Sequence, residues 1–262
     1  MNSISANLNI MIKACEKASK TLIRDFGEVE KLQVSIKGPL DFVSNADTKA
    51  EKTIISELSK SRKNYSIISE EDGSKVNEDK NNVWIIDPID GTINFLHGIP
   101  HFAISIALKS YNEIVSGVIY DPIKDEMFSA EKGNGSYINN QRMRVSGRSK
   151  LKDCIIFSGG PRYGSENKEL IFKEYIKFSS KVHIAIRKFG SGSLDMAYVA
   201  AGRCDGMWQR DLNYWDIAAG IILVKESGGF VTDFDGEYRY LQNKTILVTN
   251  SKINNEMIEV LK

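Results

Sequence analysis

Cysteine is scarce in this chain: three residues among 262, at Cys15, Cys154 and Cys204, with no CxxC pair. A disulfide framework is therefore not what holds the fold, and the three read as reduced core residues of a cytoplasmic protein. Charge of one sign is also lacking. Lys+Arg number 35 and Asp+Glu 34, for a net charge of +1, and no block of like charge stands out. That balance argues against a dedicated nucleic-acid surface. No apolar run reaches the length a membrane span needs, so no membrane partner is expected. Met1-Asn2-Ser3-Ile4 has neither a basic nor an apolar leader region, so no signal peptide is evident. Histidine is rare as well. His97 and His101 are four apart, but Gly98 and Pro100 between them rule against a metal-binding helix. Both read as loop or surface residues, and His183 falls in a strand pattern.

What is present suits one large domain or two tightly packed halves, since 42% of the residues are hydrophobic. Ile4, Leu8, Met11, Cys15, Ala18 and Leu22 recur at helical spacing, with Gly27 as a natural stop. Residues 31–43 look extended around Gly38-Pro39. A second helix carries Ala50, Ile54 and Leu58 on one face, with Asp47 near its start, where it could serve as a plain cap. Tyr65 to Ser69 reads as a strand delivering Glu70 and Glu71, and the polar stretch 72–82 as a mobile surface loop. Segments 102–109, 114–120 and 126–130, and one more strand near Met143, suggest an antiparallel meander. From about Ser149 strands alternate with helices: strands at 154–158, 182–189, 205–209, 229–233 and 245–249. The helices fall at 166–179, from near Gly192, from Asp216, and from Ile253 to Leu261.

One stretch organises the rest: Val83-Trp84-Ile85-Ile86-Asp87-Pro88-Ile89-Asp90-Gly91-Thr92. A buried strand runs into two carboxylates three positions apart. Pro88 fixes its own φ and keeps Asp87 extended, so a turn can bring Asp87 and Asp90 onto one point. Two anions held that close call for a counter-charge, and hard cations such as Mg²⁺ prefer oxygen ligands. Gly91 permits close backbone approach, and Thr92 opens a short helix whose free N–H groups favour an anion. Metal plus phosphate is one reading; a strand ending in an Asp-Gly turn with solvated acids is the other. Gly190-Ser191-Gly192-Ser193-Leu194-Asp195 imitates a dinucleotide fingerprint, but Asp195 stands where the third glycine belongs, and the setting is not an N-terminal βαβ unit. Asp216, ahead of an apolar run, is accounted for by an N-cap role or by a ligand role.

Asp87-Pro88-Ile89-Asp90-Gly91-Thr92, with Glu70-Glu71 upstream and Trp215-Asp216 downstream, closely resembles the inositol monophosphatase family of Mg²⁺-dependent, Li⁺-sensitive phosphatases. The likeness runs from Asp41 through Gly236. It implies an α+β fold, a layered α/β sandwich of the sugar-phosphatase type. Residues 1–148 would form a helix pair on an antiparallel sheet carrying most metal ligands. Residues 149–262 would form an α/β half completing the site, the two packed as one unit. It implies Mg²⁺, about two to three ions per site, at the roughly 3.5–4 Å spacing of two-metal phosphoryl chemistry. The first ion would take Glu70, Asp87 and the Ile89 carbonyl, and the second Asp87, Asp90 and Asp216, with a third leaning on Glu70. Thr92 with Asp47 and Glu70 would orient and deprotonate the attacking water. Gly91 and Thr92 would hold phosphate, and Asp90, Gly192 and Gln209 the substrate. The implied activity is hydrolysis of inositol monophosphate or a similar small polyol phosphate by a homodimer. The alternatives are histidinol phosphate, a sugar bisphosphate or a nucleotide 3′-phosphate as substrate, or partnership with the transcription machinery. The chain departs from the pattern at Gln209, where the family usually has a glutamate.

Overall fold

The computed structural model describes residues 4–29, 34–36, 42–161 and 165–262, with the backbone alone for 34–36 and 42–44. Most of the extended stretch expected at 31–43, with Gly38-Pro39 and Asp41, lies outside the described residues. The first helix, α1 (Ala6–Phe26), opens on Ser5, whose hydroxyl accepts from the Leu8 N–H at 3.2 Å, and closes at Gly27. Ile4 precedes that cap and is exposed, so it is not on the helix's buried stripe. After the short pair β1 (Val34–Ile36) and β2 (Phe42–Ser44) comes α2 (Asn45–Ser61).

The main sheet is built from β3 (Tyr65–Ser69), β4 (Gly73–Lys75), β5 (Asp79–Asp90), β6 (Ala103–Ser110), β7 (Glu113–Asp121), β8 (Glu126–Glu131), β9 (Gly135–Ile138) and β10 (Gln141–Arg142). Their order is β10-β9-β8-β7-β6-β5-β3-β4. From β5 to β10 every neighbour is antiparallel; β6, β7 and β8 are the expected meander, extended by β9 and by β10 just before Met143, while β3 runs parallel to β5. The polar stretch 72–82 is not a loop throughout. It holds β4, an edge strand exposed along its whole length, and the start of β5. Neither part buries a face, so no alternation marks them as strands.

The short helix α3 (Thr92–Leu96) follows β5. The second half, entered through a 3₁₀ turn at Leu151–Asp153, contains β11 (Ile155–Ser158), α4 (Lys168–Ser179), β12 (Ala185–Arg187), α5 (Gly192–Ala200), β13 (Gly206–Arg210), α6 (Tyr214–Glu226), β14 (Phe230–Thr232), α7 (Tyr240–Asn243), β15 (Thr245–Thr249) and α8 (Asn254–Leu261). Its sheet has the order β12-β11-β13-β15-β14, with β11 parallel to both neighbours and β15 antiparallel to both of its own. The strand expected over 182–189 is only β12, at the sheet edge, and His183 sits in the turn before it.

Three cores define five layers. The first joins α1 and α2 (Met11, Leu22, Ile54, Leu58) to one face of the main sheet through Trp84, Ile86, Ile104 and Ile106. The second joins the other face (Val83, Ile85, Ala107, Ile119) to α5 and α6 and on to Met207, Ile246 and Val248 of the smaller sheet. The third covers the far face of that sheet, where Trp208 and Leu247 meet Phe178 of α4 and Met257 of α8. The central layer explains the sequence of α6: Ile217 to Val224 is buried all round, as a helix with no solvent face must be. Cys15, Cys154 and Cys204 are all buried and unpaired. Among the described residues no helix is long and apolar enough to cross a membrane.

Candidate metal centre

The decisive local feature is an irregularity at the end of β5. Asp87 pairs with Ser105 and Asp90 with Ala103, so three steps on β5 span two on β6. One residue is extra, as in a β-bulge, and Pro88, with no N–H to give a ladder, sits inside it. Strict alternation would put Asp87 and Asp90 on opposite faces. The extra residue cancels that parity. Ile89 turns into the core beneath α1 and α2, while Asp90 joins Asp87 on the α5/α6 side.

Asp216 completes a trio from α6. The helix starts at Tyr214 after an N-cap at Asn213, so Asp216 is its third residue rather than its cap. Its carboxylate accepts the Asn213 N–H at 2.8 Å, which fixes it at the helix's positive end. Ligand oxygens of Asp87, Asp90 and Asp216 lie within 4.8 Å of one another, and all three residues are buried.

Each carboxylate is also held in place. Asp87 Oδ1 accepts the Ile89 N–H at 3.0 Å. Asp90 Oδ2 accepts from Ser191 Oγ at 2.6 Å, the Ser193 N–H at 2.6 Å and Ser193 Oγ at 2.5 Å. The Gly190–Ser193 stretch therefore does cradle an anion at a helix N-terminus, but the anion is the chain's own Asp90. Thr92 Oγ donates to the Ile89 carbonyl at 2.9 Å, leaving that oxygen a second lone pair. Gly91 has a φ of +99°, and a Cβ there would lie 3.1 Å from the His101 carbonyl oxygen and 3.3 Å from Phe102 Cβ. Both conformation and space require glycine.

Burial pushes the Asp87 carboxyl well above the usual range, and the nearby charges of Glu70, Asp90, Asp216 and Asp47 push it further. Glu70 and Asp47 are thus close enough to act on Asp87, although neither belongs to the tight trio. Glu70 follows β3, and its N–H donates to the Ile86 carbonyl at 3.2 Å. Asp47 lies in the first turn of α2, buried and past the cap position. Among the described residues no lysine or arginine forms an ion pair with Asp87 or Asp90. A buried group of carboxylates this close fits a hard divalent cation held by oxygen ligands.

Gly192 is the first residue of α5, between the two serines that hold Asp90. Gln209 lies on β13, half-buried, and its Oε1 has no hydrogen-bond partner. Its carboxamide lies over Gly159, where an added Cβ would be 2.3 Å from Gln209 Cδ. The neighbours are engaged elsewhere: Arg210 pairs with Glu174 at 2.6 Å, and Asp211 accepts from Ser165 Oγ at 3.3 Å and Asn167 Nδ2 at 3.2 Å. His97 is exposed. His101 packs on Phe189 with ring centroids 5.2 Å apart, and burial holds its pKa below the ordinary value.

Some residues around the trio are not evident from sequence. Ser191 and Ser193 look like parts of a phosphate loop. Glu51 looks like a solvated acid on a helix, but it is 1% exposed. Its spacing of four from Asp47, on a helix whose buried face includes Ala50 and Ile54, is the signal that could have found it. Asp195, also buried, has its carboxyl raised by burial and then by Asp90.

A family model described as "Inositol monophosphatase family" matches residues 5–261. The inositol-1-monophosphatase of Mesorhizobium japonicum is 48% identical over 258 residues, covering 98% of this chain and 97% of that protein. The Nus factor SuhB of Pseudomonas aeruginosa is 39% identical over 250 residues, covering 94% and 92%. The crystal structure of extragenic suppressor protein suhB from Bartonella henselae superposes with a TM-score of 0.96 at 49% identity, covering 98% of this chain and 99% of that one.

Proposed function

Since this chain belongs to the inositol monophosphatase family and is an inositol-phosphate phosphatase by that membership, we propose that it is Mg²⁺-dependent and hydrolyses inositol monophosphate or a similar small polyol phosphate. The observation that carries this reading is the buried Asp87–Asp90–Asp216 trio, with its oxygens within 4.8 Å. Asp87 would be shared between two ions. Glu70 and the Ile89 carbonyl would complete one ligand set, Asp90 and Asp216 the other, and a third, weaker ion would lean on Glu70. Bound Mg²⁺ supplies positive charge to the phosphate oxygens and acidifies a coordinated water.

The chain's own groups do the rest. Asp47, Glu70 and Thr92 orient the water, and the carboxylates take up its proton as its oxygen forms the new bond to phosphorus. The ester P–O bond breaks, and the leaving alkoxide takes a proton from solvent water and departs as the alcohol. The first-turn N–H groups of a helix have no intrahelical acceptor, so Gly91 and Thr92 offer donors to phosphate oxygens. Asp90, Gly192 and Gln209 face the alcohol portion. The protein is proposed to work as a homodimer, which light scattering after size exclusion measures.

The test is a phosphate-release panel with and without Mg²⁺: inositol 1-phosphate, a linear polyol phosphate, histidinol phosphate, fructose 1,6-bisphosphate and a nucleotide 3′-phosphate. Highest kcat/KM on a polyol monophosphate, abolished by EDTA, is expected. Preference for the bisphosphate or nucleotide, or Mg²⁺-independent turnover, refutes the reading. A second role follows from the relative named Nus factor SuhB: contact with the RNA synthesis machinery. A pull-down of RNA polymerase at physiological salt tests it.

A further inference from the structure

Glu51 is an acid with no ion-pair partner among the described residues, placed where an ordinary helix would bury an apolar side chain. Among the described residues, every hydrogen bond its carboxylate accepts comes from one short stretch of chain. Its Oε1 accepts from Ser69 Oγ at 3.0 Å and from the Asp72 N–H at 2.8 Å, and its Oε2 accepts the Glu71 N–H at 3.0 Å. Two successive backbone amides and a hydroxyl thus close on one carboxylate, as in an anion nest. The stretch they belong to is the tip of the β3–β4 hairpin, in which Ser69 pairs with Gly73. Glu70 is the tip's first residue.

We propose that Glu51 is a positioning residue for metal binding: its carboxylate grips the hairpin tip and so holds Glu70 against Asp87. The inference rests on the reading above that Glu70 is a metal ligand. Backbone pairing ties the start of the tip to β5, through the Glu70 N–H to the Ile86 carbonyl at 3.2 Å, and Ser69 to Gly73, while the Glu51 carboxylate holds the amides of Glu71 and Asp72. β4 is exposed along its length, so packing does not hold it from outside, and Gly73, at a φ of +75°, has nothing near its Cβ position. Asp47 and Glu51 are one helical turn apart on α2. That helix therefore presents one acid toward Asp87 and a second that sets where Glu70 lies. A glutamine at this position would keep the volume, but its NH₂ would face a donor, Glu71 N–H or Ser69 Oγ and Asp72 N–H. One side of the grip would then open.

The test compares wild type, Glu51→Gln and Glu70→Gln in Mn²⁺ titrations followed by electron paramagnetic resonance. Amide hydrogen exchange at Glu71 and Asp72 is measured on the same metal-free samples. Groups that orient a ligand typically cost about 10–100-fold in metal affinity when removed. Glu51→Gln should weaken by about that factor the same ion that Glu70→Gln loses, and should release the two amides to fast exchange. Loss in Glu70→Gln alone, with Glu51→Gln within about twofold of wild type, overturns the positioning role and leaves the ligand reading standing. Loss in neither overturns the assignment of Glu70 and this inference with it. Should Glu51→Gln fail to fold, exchange in metal-free wild type decides. Slow exchange at both amides before any metal is added supports the grip, and fast exchange that slows only with Mn²⁺ overturns it.

Discussion

Replacing Asp87 by asparagine should change the sign of its effect on stability when metal is added. In the bare site Asp87 is buried against two carboxylates whose oxygens lie within 4.8 Å. Each fully ionised pair at that distance costs about 3–4 kcal/mol at an effective dielectric of roughly 20. Burial and the neighbouring charges raise the Asp87 pKa, so the neutral form of that carboxyl is favoured more than in a free aspartate. Asparagine removes the problem. Its Oδ1 can still accept the Ile89 N–H, and its NH₂ can donate to Asp90 or Asp216. A hydrogen bond to a charged group contributes about 1.5–3 kcal/mol, so after some loss to imperfect fit a net gain of about 1–2 kcal/mol is expected. That raises Tm in EDTA by roughly 2–8 °C. With Mg²⁺ at a hundred times its dissociation constant the wild type gains about 2.7 kcal/mol. The variant, lacking the shared ligand, gains little, so the order inverts. Turnover should fall by about 10²–10³-fold or more. The pH arm has a definite sign. A folded-state pKa above the unfolded value means the native state binds more protons, so stability falls as pH rises above about 4. In EDTA the wild type should lose stability across that range more steeply than Asp87→Asn. Thermal unfolding in EDTA and in Mg²⁺, at several pH values, measures all of this. An asparagine variant less stable than wild type in EDTA, or equal stabilisation of both by Mg²⁺, refutes the reasoning.

Gln209→Glu should shift the kcat/KM ratio between inositol 1-phosphate and a linear polyol phosphate by somewhat under about tenfold, toward the inositol ester, because a charged acceptor replaces a neutral one. Arg210 and Asp211 are bonded elsewhere, so an unmoved ratio would mean that position 209 does not read the substrate. Gly91→Ala must adopt a φ of +99° and push a Cβ to 3.1 Å from the His101 carbonyl. A loss of about 1–3 kcal/mol in urea unfolding is expected, together with reduced turnover. Unchanged values for both would show the turn to be slack. Li⁺, with half the charge of Mg²⁺, should inhibit more deeply at high substrate by occupying a site without supporting catalysis, and Na⁺ should not; steady-state rates with both salts decide.

The parts of the fold that bury continuous apolar surface were legible. The apolar run from Ile217 to Leu223 reads as a helix, and that helix lies buried between two sheets. Val83 to Ile86 reads as a buried strand, and it is buried with neighbours on both edges. Asp87, Asp90 and Asp216 could be grouped from the sequence because they stand in the order of the family's motifs, and the fold brings their oxygens within 4.8 Å. Less visible were groups whose role depends on what lies opposite. Ser191 and Ser193 follow glycines at a helix start, which suits any anion, and only the folded chain reveals that the anion is Asp90. β4 has no alternation because it buries nothing. Glu51 was not singled out because a helix face is read by its apolar members, and this carboxylate finds its partners through the β3–β4 hairpin. Asp216 was expected to begin its helix, but Asn213 has that place.

The extra residue at the end of β5 makes this stretch sensitive to counting as well as to chemistry. Many side chains could stand at Ile89 and still fill the core beneath the helix pair. Laying the same residues down as a regular ladder, without the bulge, would restore the plain alternation of the strand. Asp90 would then be carried through the sheet, away from Ser191, Ser193 and Asp216 and into a layer of Phe95, Phe102 and Ile104. The same sequence paired one step over would have a carboxylate in oil and a centre short of one acid. Change in this stretch is therefore open to substitution and closed to slippage, and the bulge between Asp87 and Asp90 is as much a part of the site as either aspartate.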